Sequence, residues 1–126
     1  MKGNPARWFV ALGAMNGFVA VALGAFAAHG LRDVLDPTHL QTFQTGVRYE
    51  MIHALALLAT GLLMRSSAHR LLRFAGYAFL LGILFFSGSL YWLAFDGPDW
   101  LGPITPLGGL SYLSGWALLA IWSFQS

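Results

Sequence analysis

The sequence predicts an all-α membrane protein, a compact bundle of four transmembrane helices with both termini in the cytoplasm. Of its 126 residues, 57% are hydrophobic and 10% are charged, whereas a soluble domain carries about 25% charged residues. Four apolar segments each approach the length of about 20 residues that crosses a hydrocarbon core. None shows the polar–apolar alternation of a membrane β-strand, which indicates helices. We therefore treat residues 1–126 as a single integral membrane domain.

The first segment covers residues 8–28, and Lys2 and Arg7 precede it. A basic start, an apolar run and small residues at 25–27 are also the layout of a secretory signal peptide. The apolar run is, however, longer than the apolar region of a signal peptide, which has about 7–15 residues. We therefore expect an uncleaved first transmembrane helix.

The second segment covers residues 47–64, and its helix is expected to extend outward to residue 37. Asp36 followed by Pro37 is typical of a helix start, because the carboxylate accepts hydrogen bonds from free backbone N–H groups and proline fits the first helical position. A helix from 37 to 64 is about 42 Å long, whereas the hydrocarbon core is about 30 Å thick. Its first turns must therefore stand above the membrane or lie along its surface.

The third and fourth segments cover residues 71–94 and 106–124. We expect Thr105 to cap the fourth helix and Pro106 to occupy its first position, by the same reasoning as for the second helix. Small residues four positions apart recur on three of the helices, and this spacing allows close approach of backbones within lipid. The pairs are Gly13 and Gly17, Ala78 and Gly82, and Ser111 and Gly115.

The predicted orientation rests on the basic residues near the segment ends, which favour the cytoplasmic side. Lys2 and Arg7 precede the first segment, and arginines stand at 65, 70 and 73 around the connection between the second and third. The connection from 95 to 103 carries Asp96 and Asp99 and no basic residue. Both termini and the arginine-rich connection are therefore predicted to be cytoplasmic.

Polar residues from all four helices concentrate in the outer half of the predicted bundle. If the second helix leaves the core at Met64, a rise of about 1.5 Å per residue puts His53 roughly 12 Å below the outer surface. A helical wheel places Tyr49 in the same sector as His53. Because intramembrane ionisable residues mark functional sites, we predict a ligand-binding site there. The candidate residues are His29, Gln44, Thr45, Arg48, Tyr49, His53, Ser87, Ser89, Tyr91 and Thr105.

Two interpretations of this cluster are open at the level of sequence. In the first, the cluster is a polar pocket that binds a ligand. In the second, it is a structural network in which His53 and Tyr49 bond to Ser87 or Ser89 and hold the bundle in register. The second interpretation follows from the cost of an unsatisfied polar group at this depth, which is several kcal/mol.

A metal site, a haem site and a catalytic triad would each need residues that this sequence lacks or holds apart. Glu50 and His53 have the Glu-x-x-His spacing of di-iron bundles, but such sites need glutamates from two further helices and Glu50 is the only glutamate. A His29–His53 pair that held a metal or a haem would have to close a depth difference of about 10 Å. Ser87, His53 and Glu50 could be written as a catalytic triad, yet two of them lie about 60° apart on the helical wheel and no nucleophile elbow is present. We therefore predict no cofactor, no metal and no catalytic residues.

The composition also limits which cofactors and partners the protein can have. The chain has no cysteine, which excludes disulfides, Cys-ligated zinc and iron–sulfur clusters. Its basic residues are scattered and form no tract that could follow a nucleic-acid backbone, so nucleic acid is not an expected partner. The lipid bilayer is the partner that the composition itself indicates.

Four stretches of the sequence form a specific combination: GAFAAHGL at 24–31, FQTGVRYEMIHALALLATGLL at 43–63, FSGSLYWLA at 86–94 and GPITPLGGL at 102–110. Together they resemble the YgdD/YwdK-like family of small bacterial inner-membrane proteins of unknown function, which has eukaryotic relatives. The resemblance covers nearly the whole chain and implies a four-helix protein of the bacterial inner membrane. Ala27 stands where the family pattern has glycine, and Glu50 where it has a neutral residue. The second departure weakens the case for a carboxylate-dependent metal site.

The function predicted first is non-enzymatic: binding of a lipid, a quinone-like molecule or a partner protein through the polar cluster. A second hypothesis is a structural or accessory subunit of a larger membrane complex, in which the glycine grooves receive a partner helix. A third is a small transporter or channel, formed as an oligomer because one bundle of four helices has little room for a pore and no inverted repeat is visible.

Overall fold

The computed structural model describes residues 4–125 and places most of them in four long helices joined by short connections. Helix α1 is Ala6–His29, α2 is Pro37–Met64, α3 is Arg70–Ala94 and α4 is Leu101–Ser123. Each helix is long and apolar enough to cross a membrane. This finding confirms the predicted all-α fold with four candidate transmembrane helices.

The start of α2 is fixed by the residues that the sequence indicates. The Asp36 carboxylate accepts a hydrogen bond of 2.8 Å from the backbone N–H of His39, and Pro37 stands at the first helical position. This bond, with a second from the His39 ring, holds the pKa of the Asp36 carboxyl below its usual range. The same ring also reaches Asp96, with Nε2 3.1 Å from Oδ1. One side chain therefore links the α1–α2 connection to the α3–α4 connection.

Helix α4 begins earlier than the sequence predicts. It starts at Leu101 after Trp100, so Thr105 is not its cap and Pro106 lies inside the helix. Pro103 lies in the first turn of the helix. Its missing N–H costs little there, because the first four N–H groups of a helix have no partner within the helix. The Thr105 hydroxyl oxygen instead lies 3.3 Å from the Leu101 carbonyl oxygen in the same helix. The prediction was wrong because two prolines of this segment fit a helix start, and the helix uses the first.

Helix α3 changes its hydrogen bonding beyond its middle. Residues Ile83–Ser87 form a π-helical turn, in which the N–H of Gly88 bonds to the carbonyl of Ile83. A π turn inserts an extra residue into the helix, and such turns are frequent at functional sites. Ser87, at the end of this turn, and Ser89, just beyond it, both reach the neighbouring helix α4 although they lie only two positions apart. No pattern in the sequence predicts the turn.

Helices α1 and α2 pack closely where glycine leaves out a side chain. A Cβ atom added at Gly13 would lie 2.7 Å from the backbone nitrogen of Leu58, and one at Gly61 would lie 2.8 Å from that of Val10. Both neighbours are backbone atoms of the facing helix, so these glycines are required for the close approach. Gly17 differs, since apart from the adjacent backbone of α1 itself no described atom lies within 4 Å of its Cβ position. Only the first member of the Gly13–Gly17 pair therefore contributes to this bundle.

Helices α3 and α4 also meet at small residues, but here the glycines face aromatic rings. A side chain at Gly82 would collide with the ring of Tyr112, and Gly115 is buried against a second aromatic ring. Ser111 donates a hydrogen bond of 2.7 Å to the Ala78 carbonyl across the same interface. The small-residue pairs predicted on α3 and α4 thus lie where these two helices meet.

The buried apolar side chains form two clusters, one toward each end of the bundle. One cluster includes Phe9, Leu57 and Phe79, from α1, α2 and α3. The other surrounds Phe43 and Ala94. Four buried polar residues lie between the two clusters along α2 and α3, and we call them the polar layer: Glu50, His53, Ser87 and Ser89. The bundle therefore has a polar layer between two apolar ones.

Gly13→Ala is expected to lower the unfolding temperature of the protein in detergent, because the added methyl group would collide with the backbone of α2. Overpacking of this kind costs about 1–3 kcal/mol. Gly17→Ala is the matched control, since its methyl group meets open space, and the unfolding temperature is expected to stay unchanged. Circular dichroism on heating measures both variants, and equal unfolding temperatures would contradict the packing of Gly13 on α2.

Candidate functional site

His53 is the central residue of the polar layer. It lies on α2, is 3% exposed, and has a partner for each ring nitrogen. Nδ1 is 2.7 Å from the carbonyl oxygen of Tyr49, one turn back on the same helix. Nε2 accepts a hydrogen bond of 2.9 Å from the indole N–H of Trp116 on α4. An imidazole with its proton on Nδ1 satisfies both bonds, because it donates at one nitrogen and accepts at the other.

Two tyrosine rings lie nearly parallel to the imidazole. The Tyr112 ring from α4 stacks on His53 with ring centres 3.6 Å apart and planes 9° apart. The Tyr49 ring lies beside them, 11° from the plane of His53 and 19° from that of Tyr112. We call these three residues the ring stack. The Tyr112 hydroxyl is in turn 3.0 Å from the Ser87 hydroxyl on α3, so the stack is held by all three of α2, α3 and α4.

Glu50 is the second ionisable residue of the polar layer. It is 4% exposed, and its Oε1 atom accepts a hydrogen bond of 2.6 Å from the Tyr91 hydroxyl on α3. The Tyr91 ring lies over Gly46, where an added Cβ would be 2.7 Å from the ring. Glycine at this position therefore makes room for the tyrosine. The donor matters because a buried carboxyl without a hydrogen bond is strongly destabilising.

A third contact joins α3 to α4. The Ser89 and Thr105 hydroxyls are 2.6 Å apart, and Ser89 is also 2.9 Å from the Phe86 carbonyl, to which it donates. Helix α3 is thus connected to both of its neighbours by polar side chains. The pairs are Glu50–Tyr91, Ser87–Tyr112 and Ser89–Thr105.

The structure brings together most of the predicted site residues and leaves four apart. His29 is exposed at the end of α1, where Nδ1 lies 2.9 Å from a carbonyl one turn back. Gln44 and Arg48 are exposed on α2, and Thr45 donates a hydrogen bond of 2.9 Å within its own helix. The residues in or beside the polar layer are Tyr49, His53, Ser87, Ser89, Tyr91 and Thr105.

Sequence reasoning missed two residues of α4, Tyr112 and Trp116. The structural-network interpretation paired His53 with Ser87 or Ser89, and that pairing is wrong, because the imidazole nitrogen bonds to Trp116 and the Ser87 hydroxyl bonds to Tyr112. Trp116 and Tyr112 lie four positions apart and therefore share one face of α4. That spacing, together with the hydrogen-bonding group that each ring carries, is the signal that points to them.

The residues considered for a metal site or a catalytic triad have separate partners. Glu50 bonds to Tyr91 on α3, whereas His53 bonds to α4. Within residues 4–125, no three His, Asp or Glu side chains are close enough to hold a metal ion. The Ser87 hydroxyl bonds to Tyr112 and not to the imidazole. The chemistry that this arrangement supports is therefore hydrogen bonding between helices and the presentation of aromatic surface.

The sequence matches a known protein family. Residues 23–109 match the family described as "Protein of unknown function (DUF423)". The chain belongs to the DUF423 family. The matched range includes the whole polar layer of this DUF423 protein and ends before Tyr112 and Trp116. No solved structure matches the chain.

Relatives of this DUF423 protein extend along nearly its whole length. It is 45% identical to a UPF0382 membrane protein of Haemophilus influenzae, over 94% of each chain. It is 42% identical to the UPF0382 membrane protein YwdK of Bacillus subtilis, over 90% of this chain and 93% of the relative. It is 36% identical to the UPF0382 inner membrane protein YgdD of Escherichia coli, over 91% of this chain and 88% of the relative. The resemblance to the YgdD/YwdK-like family is confirmed, and the chain is a multi-pass protein of the inner or plasma membrane.

Tyr91→Phe is expected to destabilise the DUF423 protein by about 1–3 kcal/mol, because it leaves the buried Glu50 carboxyl without its donor. The control is Tyr77→Phe on the same helix. Tyr77 is 47% exposed, and its hydroxyl has no hydrogen bond within residues 4–125. Chemical unfolding in mixed detergent micelles measures both variants. If Tyr91→Phe were as stable as the control, the bond between Glu50 and Tyr91 would not be a determinant of stability.

Proposed function

We propose that this DUF423 protein is non-enzymatic and binds a planar, lipid-soluble molecule of the quinone type at the lipid-facing edge of the ring stack. The observation that carries the proposal is the stack itself. Its planes agree within 19°, and Tyr49 at its edge is 38% exposed. A flat ring that enters from the bilayer would extend an existing stack, and aromatic pairs gain free energy beyond the burial of their area.

The groups at this edge suit a quinone better than an acyl chain. Phe86 borders Tyr49 with ring centres 4.9 Å apart, and Trp116 is 45% exposed, so aromatic surface continues around the edge. The Tyr49 hydroxyl has no hydrogen bond within the part of the chain that the structure describes. It can therefore donate one to a quinone carbonyl oxygen. An acyl chain has neither a ring to stack nor an acceptor for this hydroxyl.

His53 acts in this proposal as a positioning residue. Both of its nitrogens already have partners in the protein, so it does not bond to the ligand. It holds the Trp116 indole by a hydrogen bond and the Tyr112 ring by stacking. These two contacts set the surface against which the ligand would lie.

The test is binding of a short-chain ubiquinone to the purified protein in detergent, followed by quenching of tryptophan fluorescence. Tyr49→Leu is expected to raise the dissociation constant about tenfold or more, because a stacking ring and a hydrogen-bond donor are both lost. Tyr49→Phe keeps the ring and is expected to show a smaller loss. The control is Phe18→Leu, a change at an aromatic residue of α1 that is 77% exposed, and it is expected to bind as the unaltered protein does.

Two results would overturn this proposal: no saturable binding by the unaltered protein, or equal losses in Tyr49→Leu and Phe18→Leu. Co-purification with a second membrane protein at fixed stoichiometry, without quinone binding, would favour the accessory-subunit function instead. Gly17, which faces open space on α1, is then the position where a partner helix packs. Solute flux in proteoliposomes, again without quinone binding, would favour a transporter.

We also propose that both termini and the α2–α3 connection face the cytoplasm. The support is the distribution of charge, because basic residues near helix ends favour the cytoplasmic side. Arg65, Arg70 and Arg73 lie between α2 and α3 or in the first turn of α3. Asp96 and Asp99 lie between α3 and α4, where no basic residue is present.

Single cysteines test this orientation directly, since the chain has none of its own. Ser67→Cys, between α2 and α3, is expected to react with a membrane-impermeant maleimide only after the cells are permeabilised. Asp99→Cys, between α3 and α4, is expected to react in intact spheroplasts. The reverse labelling pattern would mean that the protein is inserted in the opposite orientation.

A further inference from the structure

We infer that this protein binds the phosphate group of an anionic phospholipid between Arg7 and Arg65, at the end of the bundle opposite His39. A cavity of about 600 Å³ lies there, and both arginines line it. Because α1 begins and α2 ends at this cavity, it lies where the ends of membrane-spanning helices meet the lipid headgroups. The cavity shares no residue with the ring stack, so the inference does not depend on the function proposed for that stack.

The packing of α1 on α2 brings the two arginines to one place. Asn4 bonds to both helices: its Oδ1 accepts from the N–H of Ala6 at 2.9 Å, and its amide nitrogen donates to the Met64 carbonyl at 3.4 Å. Gly61 lets the start of α1 lie against the last turn of α2, because a Cβ there would be 2.9 Å from the Ala6 carbonyl oxygen. The arginines directly follow Ala6 and Met64 in the sequence. The same contacts therefore set the positions from which both guanidinium groups extend.

Among residues 4–125, no carboxylate pairs with the positive charge at this cavity. Neither Arg7 nor Arg65 forms an ion pair with a carboxylate of the described residues. Guanidinium groups bind phosphate oxygens through paired, charge-assisted hydrogen bonds, so a phosphate is the ligand that this chemistry favours. All five acidic residues of the chain lie in other segments: Asp33, Asp36, Glu50, Asp96 and Asp99.

The aromatic residues at the cavity indicate that a lipid carries the phosphate. Trp8 and Tyr77 line the cavity beside the arginines and are 59% and 47% exposed. Such rings lie at headgroup level in membranes, with the apolar body toward the acyl chains and the polar atom toward water. Phe9 packs edge-on against Tyr77 with ring centres 5.2 Å apart, which fixes that wall. Basic pockets between transmembrane helices are a known form of anionic-lipid site.

Native mass spectrometry of the full chain in detergent tests the inference, with phosphatidylglycerol as the probe. Phosphatidylcholine with the same acyl chains is the neutral comparison. The unaltered protein is expected to retain phosphatidylglycerol about tenfold more strongly than phosphatidylcholine. Arg7→Gln/Arg65→Gln is expected to abolish this preference. The control is Arg32→Gln/Arg70→Gln, which removes the same charge from exposed arginines that do not line the cavity and is expected to keep the preference.

Equal retention of both lipids by the unaltered protein, or the same loss in both double variants, would overturn the inference. Displacement of phosphatidylglycerol by inorganic phosphate, but not by chloride at equal ionic strength, would also overturn it, because the cavity would then recognise free phosphate. Circular dichroism checks that the variants are folded. If Arg7→Gln/Arg65→Gln does not fold, Arg7→Lys/Arg65→Lys takes its place, since lysine keeps the charge but loses the paired hydrogen bonds of arginine. This variant is expected to show a reduced preference for phosphatidylglycerol. An unchanged preference would overturn the inference.

Discussion

A polar side chain inside the hydrocarbon must find its partner within the protein, and that requirement decides how α2, α3 and α4 lie against one another. His53 bonds to its own helix and to Trp116, so α4 cannot shift by a turn without breaking the bond to the imidazole. Glu50 imposes the same condition on α3 through Tyr91. The register of three helices therefore follows from a few hydrogen bonds in the polar layer.

Glycine has two roles in the packing of these helices. Gly13 allows the backbones of α1 and α2 to approach closely, which is the familiar role in membrane helices. Gly46 and Gly82 instead receive the rings of Tyr91 and Tyr112. A tyrosine whose ring packs against a glycine of the facing helix can carry its hydroxyl to a defined position between two helices. A stripe of small residues in the sequence therefore predicts an interface without revealing whether a backbone or a ring occupies it.

What could be predicted from the sequence depends on the distance over which each interaction acts along the chain. The four helices and the start of α2 after Asp36 follow from apolar length and from a capping bond within three residues, which are local properties. The partner of His53 cannot be predicted in this way, because the identity of the partner depends on which face α4 turns toward α2. The start of α4 fails for a related reason: Thr105 has the properties of a cap, but its hydroxyl contacts Ser89 on another helix. The ligand-binding role of the candidate residues stays a prediction.

The distribution of charge connects the proposed orientation to the proposed lipid site. At the end where His39 lies between Asp36 and Asp96, the carboxylates have a partner within the protein. At the other end, Arg7 and Arg65 have aromatic and amide neighbours instead of carboxylates. In the proposed orientation Arg7 and Arg65 help to keep their helix ends in the cytoplasm, and no carboxylate of residues 4–125 compensates their charge once α1 packs on α2. The anionic headgroups of the cytoplasmic leaflet carry the opposite charge at that depth, so one set of residues accounts both for how the chain is oriented and for the lipid it would hold.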